Sequence, residues 1–427
     1  MRSRKSFAGI MMALAVGAVS LAMASSCAIA QTEALLFSFG GPNGAYGESP
    51  VGSLIFDSAG NLYGTTVRGG AYGDGTVFEL SPVEGGVWTE TVLHSFDDNG
   101  TDGYFPNSGL VFDAAGNLYG TTSNENQFYC DSTDCGILFQ LSPVAGGEWA
   151  ETIVSSFDGN ASGGYGPVGG VVVDAAGNLY GVTEFGGSND NCTFYTHCGM
   201  AYEFSPTAGG KWTEKILHAF SGDNEDGANP GASLIFDGQG NLYGTTTLGG
   251  TGYGTAFKLT PGADGKWTEK MLHRFANNGK DGTTPSTALT LDASGNLYGT
   301  TNAGGFFGKG TAFKLAPSAD GGWGEAVLYN FGGRNQPSGS LIIDESGNLF
   351  GVEESGGTDY AGAVYELSPN GNRGWSKQTF FSFVTPPDGM YPVGSLIFDS
   401  AGNLYGATQG GGTGGERGTG TVFELTP

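Results

Sequence analysis

Short apolar runs recur along the chain, each bounded by Gly, Pro, Asn or Asp. Ser53-Leu54-Ile55-Phe56-Asp57 leads to Asn61-Leu62-Tyr63-Gly64-Thr65-Thr66, then to Thr76-Val77-Phe78-Glu79-Leu80, then to Thr91-Val92-Leu93-His94-Ser95-Phe96. β-Branched and aromatic runs set between turn residues predict strands. We label the four a, b, c and d in chain order. The set repeats seven times: Gly-Asn-Leu-(Tyr/Phe)-Gly places its Asn at 61, 117, 178, 241, 296, 348 and 403, at spacings of 56, 61, 63, 55, 52 and 55.

A lone four-stranded sheet of this length cannot bury both faces. Arranged radially, such sheets cover one another and leave only short edges. The ends of the chain fit a ring. Repeat seven runs out after Thr421-Val422-Phe423-Glu424-Leu425 and lacks strand d, whereas Ala34-Leu35-Leu36-Phe37-Ser38-Phe39 is a d strand with no repeat of its own. The expected fold is all-β: one seven-bladed β-propeller of four-stranded blades over residues 31–427, closed by an N-terminal strand that completes the last blade.

The repeats resemble the bacterial Gloeo-Verruco (GloVer) tandem repeat. Leu-Ile-Phe-Asp-x-x-Gly-Asn-Leu-Tyr-Gly-Thr-Thr at 54–66, and again at 396–408 with Ala407, carries the likeness together with the following Gly-Thr-Val-Phe-Glu-Leu. It spans nearly the whole chain after residue 30. The resemblance implies export and a propeller-like array, and it implies no activity. Family members carry varied C-terminal anchors, a feature this chain departs from by ending at Pro427.

The recurring polar residues read first as architecture. The Asp of Asp57-Ser58-Ala59-Gly60-Asn61 returns as Asp113, Asp174, Asp237, Asp292, Asp344 and Asp399, where a short carboxylate accepts from turn N–H groups. A ring of carboxylates holding a cation is the alternative. All six Trp (88, 149, 212, 267, 323, 375) occupy the c–d connection, one per complete repeat, which points to packing between blades. His94, His218 and His273 share one strand-d position and are expected at the outer rim, away from acid–base chemistry. Strand a, innermost in this arrangement, carries no internal His, Glu, Lys or Arg, so no catalytic or metal-binding set is expected in the channel.

Composition narrows the class further. The 427 residues include 80 Gly and 17 Pro, yet 38% are hydrophobic and 12% aromatic, too many for a disordered chain. Only 14% are charged, against roughly 25% in an average domain. Seventeen bases against 42 acids give a net charge of −25, which argues against a nucleic-acid partner, because binding its phosphates needs a basic face. Arg2, Arg4 and Lys5 precede an apolar run from Ile10 to Ala24, and Ala28-Ile29-Ala30 supplies a cleavage site, the order of a secretory signal peptide. Its removal would take the charge to −28, since residues 1–30 hold three bases and no acid. The protein is expected to be secreted or periplasmic with no transmembrane segment after processing. Lipidation at Cys27 is a rival reading.

One face is elaborated. With a innermost and d outermost, the b–c and d–a loops share a face. Between the strand-b Thr and the strand-c Gly the chain steps 9 residues in repeat one, 14 in repeat two and 16 in repeat three. The two insertions carry Phe128, Tyr129 and Cys130…Cys135, and Cys192, Phe194, Tyr195, His197 and Cys198. Four Cys in an oxidising compartment suggest disulfides, with the local pairs Cys130–Cys135 and Cys192–Cys198 expected. Phe128, Tyr129, Phe194, Tyr195 and His197 are the candidate ligand-binding residues. The acidic d–a loops, such as Asp97–Gly103 and Asp223–Gly227, lack the later bidentate Glu of a Ca²⁺ loop, so Ca²⁺ is a subordinate reading and no cofactor is expected. These features suggest an exported, non-catalytic propeller binding a carbohydrate or protein ligand. The alternative is an extracellular polysaccharide lyase or glycoside hydrolase using carboxylates on the same face.

Overall fold

The computed structural model describes residues 32–40, 46–123, 135–159, 163–187, 192, 198–371, 374–384, 386–413 and 418–426. Its strands form seven antiparallel blades around a central channel, without a helix among the described residues. Blade one runs a Gly47–Phe56, b Leu62–Gly69, c Thr76–Val83 and d Val87–Ser95. Blade seven takes a, b and c from Gly389–Phe398, Leu404–Gly411 and Thr421–Thr426, and its d strand is Thr32–Ser38. That N-terminal strand pairs antiparallel with Thr421–Thr426, Glu33 opposite Leu425 and Ser38 opposite Thr421. The expected ring closure is therefore present.

Strand a departs from the simple repeat. Its ladder shifts register between Val51 and Ile55, and at the matching place in blades three, six and seven. Gly52 has φ +66° there, and a Cβ on it would lie 2.5 Å from the Ser108 carbonyl carbon of the next blade. Only glycine lets neighbouring blades approach this closely at the axis. In blades four and five the same interruption splits strand a into two short pieces. Strand d carries a register shift of its own, a β-bulge in every blade, as between the partners of Val77 and Phe78.

Three contacts repeat at the junctions between blades. The Phe that ends each d strand is buried against a strand-c aromatic of the next blade: Phe39 on Phe78, Phe96 on Phe139, Phe157 on Tyr202, Phe220 on Phe257, Phe275 on Phe313, Phe331 on Tyr365 and Phe383 on Phe423, with centroids 5.0–5.6 Å apart. Each half-buried Trp packs on the strand-b Tyr of the preceding blade, as Trp149 does on Tyr63 and Trp212 on Tyr119. Trp88 joins the cluster holding Tyr405 of blade seven, so the Trp packing also bridges the closure. A third link comes from Gly-x-x-Pro segments entering strand a. Phe105, Asn229, Thr284 and Tyr391 hold positive φ, and their N–H groups bond carbonyls of Asp74, Cys198, Tyr253 and Ala361 in the blade before.

The repeated Asp closes the a–b turn. Asp57 Oδ1 accepts from the N–H groups of Ala59 and Asn61, and Oδ2 accepts from Asn61 Nδ2 and Tyr63 Oη. The turn and the Asn contact recur in all seven blades, the Tyr contact wherever the motif holds Tyr. Each carboxylate is thus occupied within its own turn.

Candidate functional site

The channel is lined by strand-a residues of all seven blades and encloses about 520 Å³. Its wall is glycine backbone with hydroxyls and amides, among them Ser53, Ser108, Ser233, Ser395 and Asn107, and it includes no carboxylate or imidazole among the described residues. Ser side chains hold the wall together: Ser395 N–H donates to Ser53 Oγ at 3.0 Å and Gly170 N–H to Ser233 Oγ at 2.8 Å. A serine-lined tube of this kind offers hydrogen bonds without a general acid or base.

The face carrying the b–c and d–a loops is different. Among the described residues, five exposed aromatic rings stand on its b–c loops: Tyr72 in blade one, Tyr253 in blade four, Phe306 and Phe307 in blade five, and Tyr360 in blade six. Phe306 is 75% exposed and Tyr72 61%. The loops hold the rings in place. Phe306 N–H donates to Asn330 Oδ1 at 2.7 Å, Phe306 and Phe307 meet edge to face, and the Arg334 guanidinium lies 4.8 Å above the Tyr360 ring. Every one of these aromatics falls ten to twelve residues after the Asn of its blade. The signal was present in the sequence but obscured, because Tyr and Phe also fill the strands.

Phe128, Tyr129, Phe194, Tyr195 and His197 lie outside the described residues, as does Cys130. Cys192 and Cys198 form a disulfide across their loop, as expected, with Cα atoms 5.5 Å apart, and Cys198 is fully buried. Cys135 is buried in the core cluster with Tyr119, Met200 and Tyr202. Glu184, at the end of strand b in blade three, precedes the second insertion, and burial pushes its carboxyl up to about 7.

The rim histidines are half-buried in the clefts between blades. His94 Nε2 lies 3.1 Å from Asp102 Oδ2 and 3.7 Å from Glu151 Oε1, His218 Nε2 3.1 Å from Asp226, and His273 Nε2 3.2 Å from Asp281 Oδ2. The Asp comes from the d–a loop, and Glu151 stands two residues after the Trp of the next blade. Sequence reasoning placed the histidines at the rim and missed these partners.

Burial also raises Glu33, with Asp388 adding repulsion, and Glu90, which the Gly47 N–H only partly offsets; both reach about 7 from an ordinary 4.5. The folded state therefore holds these protons more tightly than the unfolded chain. Their contribution is full below the unfolded value and is lost as pH rises through the folded one. Asp57, Asp113, Asp237, Asp292 and Asp399 run the other way: burial opposes ionisation, but their turn hydrogen bonds outweigh it and hold them below 3.8. Their stabilisation is lost as pH falls through those lowered values. The melting temperature should peak near about pH 5 and decline by several degrees toward about pH 8. Glu90→Gln should flatten the alkaline decline, and a curve with no fall above about pH 5 would refute the assignment.

An all-β ring of seven repeat-built blades, a serine-lined channel and an aromatic-bearing loop face together define a tandem-repeat β-propeller. The chain belongs to the Gloeobacter/Verrucomicrobia repeat family, whose model matches residues 25–197, 130–336 and 195–383 in three overlapping stretches. No curated protein matches the sequence. Among solved structures, the chain is similar to a gluconolactonase from Xanthomonas campestris, at 16% identity over 74% of this chain and 84% of that one, with a TM-score of 0.38. It is also similar to a luciferin-regenerating enzyme, at 13% identity over 78% and 94% of the two chains and a TM-score of 0.38. A protein of unknown function from Dyadobacter fermentans aligns at 11% identity over 92% and 98%, with a TM-score of 0.44.

Proposed function

We propose that the protein is exported to the periplasm or cell exterior and that its b–c/d–a face binds a glycan without chemically altering it. The observation that carries this reading is the set of exposed rings Tyr72, Tyr253, Phe306, Phe307 and Tyr360 on the loops of one face. Apolar surface left in water costs free energy that a partner removes. These rings stand singly or in one pair, separated by Gly and flanked by Thr251, Asp74 and Asp359. Flat, isolated platforms beside hydroxyl and carboxylate groups suit a sugar, which stacks through its C–H face and bonds through its hydroxyls. A protein partner calls for a more contiguous apolar centre. Phe128, Tyr129, Phe194, Tyr195 and His197 fall in the b–c insertions of repeats two and three in the sequence, and we include them in the proposed ligand surface. Export is supported by the basic and apolar segments of residues 2–24 and by the Cys192–Cys198 disulfide.

A glycan array probed with the processed protein tests the reading. Tyr72→Ala with Tyr360→Ala, and separately Tyr129→Ala with Tyr195→Ala, should each weaken the strongest glycan at least about tenfold, about 1.4 kcal/mol. Melting should be unchanged. Failure of every glycan to bind, or parental affinity retained by both double variants, would reject it.

A further inference from the structure

We propose that His273, Asp281 and Glu325 form a divalent transition-metal site in the cleft between blades four and five. In this cluster one nitrogen and two carboxylate oxygens lie within 4.8 Å of one another. His273 Nε2 and Asp281 Oδ2 are 3.2 Å apart, and ligands bound at about 2.1 Å in adjacent positions stand about 3 Å apart. Asp281 is only 7% exposed, yet its Oδ1 has no hydrogen-bond partner, and neither has Glu325 Oε1. A buried carboxylate oxygen left unbonded is costly, and a cation offers it a ligand bond.

The donors come from three places that the fold alone brings together: His273 from strand d of blade four, Asp281 from the following d–a loop, and Glu325 from strand d of blade five. The Asp281 backbone is held by its N–H bond to Asn278 Oδ1, and its Oδ2 accepts from Ala276 N–H at 3.0 Å. One imidazole and two carboxylates favour a first-row ion such as Zn²⁺, Mn²⁺ or Co²⁺ over Ca²⁺ or Mg²⁺, which prefer oxygen alone. Three protein ligands would leave positions for water. The other two histidine clefts supply a contrast. Asp226 Oδ2 accepts from Ser221 N–H and Oγ–H and its Oδ1 from Gly227 N–H, while Asp102 Oδ2 accepts from Asp97 N–H and its Oδ1 from Gly103 N–H. Those clefts are accordingly assigned no metal.

Calorimetric titration of chelator-treated protein with Zn²⁺, and visible spectra with Co²⁺, test the assignment. One ion per chain is expected. His273→Ala should remove it, and neither His94→Ala nor His218→Ala should. His273→Gln keeps an amide that can bond Asp281, so it separates loss of the ligand from loss of the interblade contact; it too should abolish the site while melting stays near that of the parent. Absence of Zn²⁺ binding, or binding that survives His273→Ala, would overturn the proposal.

Discussion

Lys377→Met is expected to destabilise the propeller by about 3–5 kcal/mol, because it strands a buried carboxylate. Lys377 Nζ lies 2.8 Å from Glu353 Oε1, with side chains 6% and 0% exposed. This pair is peculiar to blade six. At the Glu353 position the other blades have Thr66, Thr122, Thr183, Thr246, Thr301 and Thr408, several of which bond a strand-c Thr, as Thr66 does Thr76 at 2.8 Å. At the Lys377 position blades one to five have Glu90, Glu151, Glu214, Glu269 and Glu325. Blade six thus exchanges a hydroxyl contact for an acid and reverses the charge two residues after its Trp. Burial pushes the Glu353 carboxyl up while Lys377 pulls it back. With the ammonium gone, the acid should take up a proton, so the loss should shrink as pH falls. Adding Glu353→Thr should recover most of the stability, since neither partner is then left alone. Denaturant midpoints of the three proteins decide it, and a loss under about 1 kcal/mol for Lys377→Met would refute the pairing.

That exchange also marks where sequence reading ran out. The blade count, the strand order and the closure were legible because Asn-Leu-Tyr-Gly recurs and because Ala34–Phe39 is a strand without a repeat. The turn role of Asp57 was legible because its donors are close in the chain. Of the contacts between blades, the Trp packing was legible and the polar ones were not. The acid two residues after the Trp in blades one to five is plain in the sequence, but its surroundings belong partly to the previous blade: Glu151 meets His94 only because blades one and two pack side by side. The Gly-x-x-Pro link was missed for the same reason, since Phe105 bonds the Asp74 carbonyl across a junction. The strand-d bulge leaves no composition signal at all. On the loop face, attention went to the two long insertions, while Tyr72, Tyr253, Phe306 and Tyr360 sit on loops of ordinary length. The wider distribution of rings enlarges the expected binding surface from two blades to much of the face.

The second large effect is expected at the closure. Blade seven is the one blade assembled from both ends of the chain, and Phe39 is its anchor: 1% exposed, and packed on Phe37 and on Phe78 of blade one. Phe39→Ala should cost about 3–5 kcal/mol, as for other fully buried Phe side chains. Phe220 makes the matching contact on Phe257 within continuous chain, so Phe220→Ala should cost a similar amount. Deleting residues 32–40 goes further. It removes the whole ladder partner of Thr421–Thr426 and bares a strand edge that invites association with other molecules. The melting temperature should then fall by about 5 °C or more, with concentration-dependent aggregation that neither point variant produces. A synthetic peptide of residues 31–40 should restore the melting point when added in excess, because an extended segment can pair with the vacant edge. Differential scanning calorimetry with light scattering follows both effects. An unchanged melting curve after deletion would mean that the ring holds without its N-terminal strand, and would reject closure as the source of its stability.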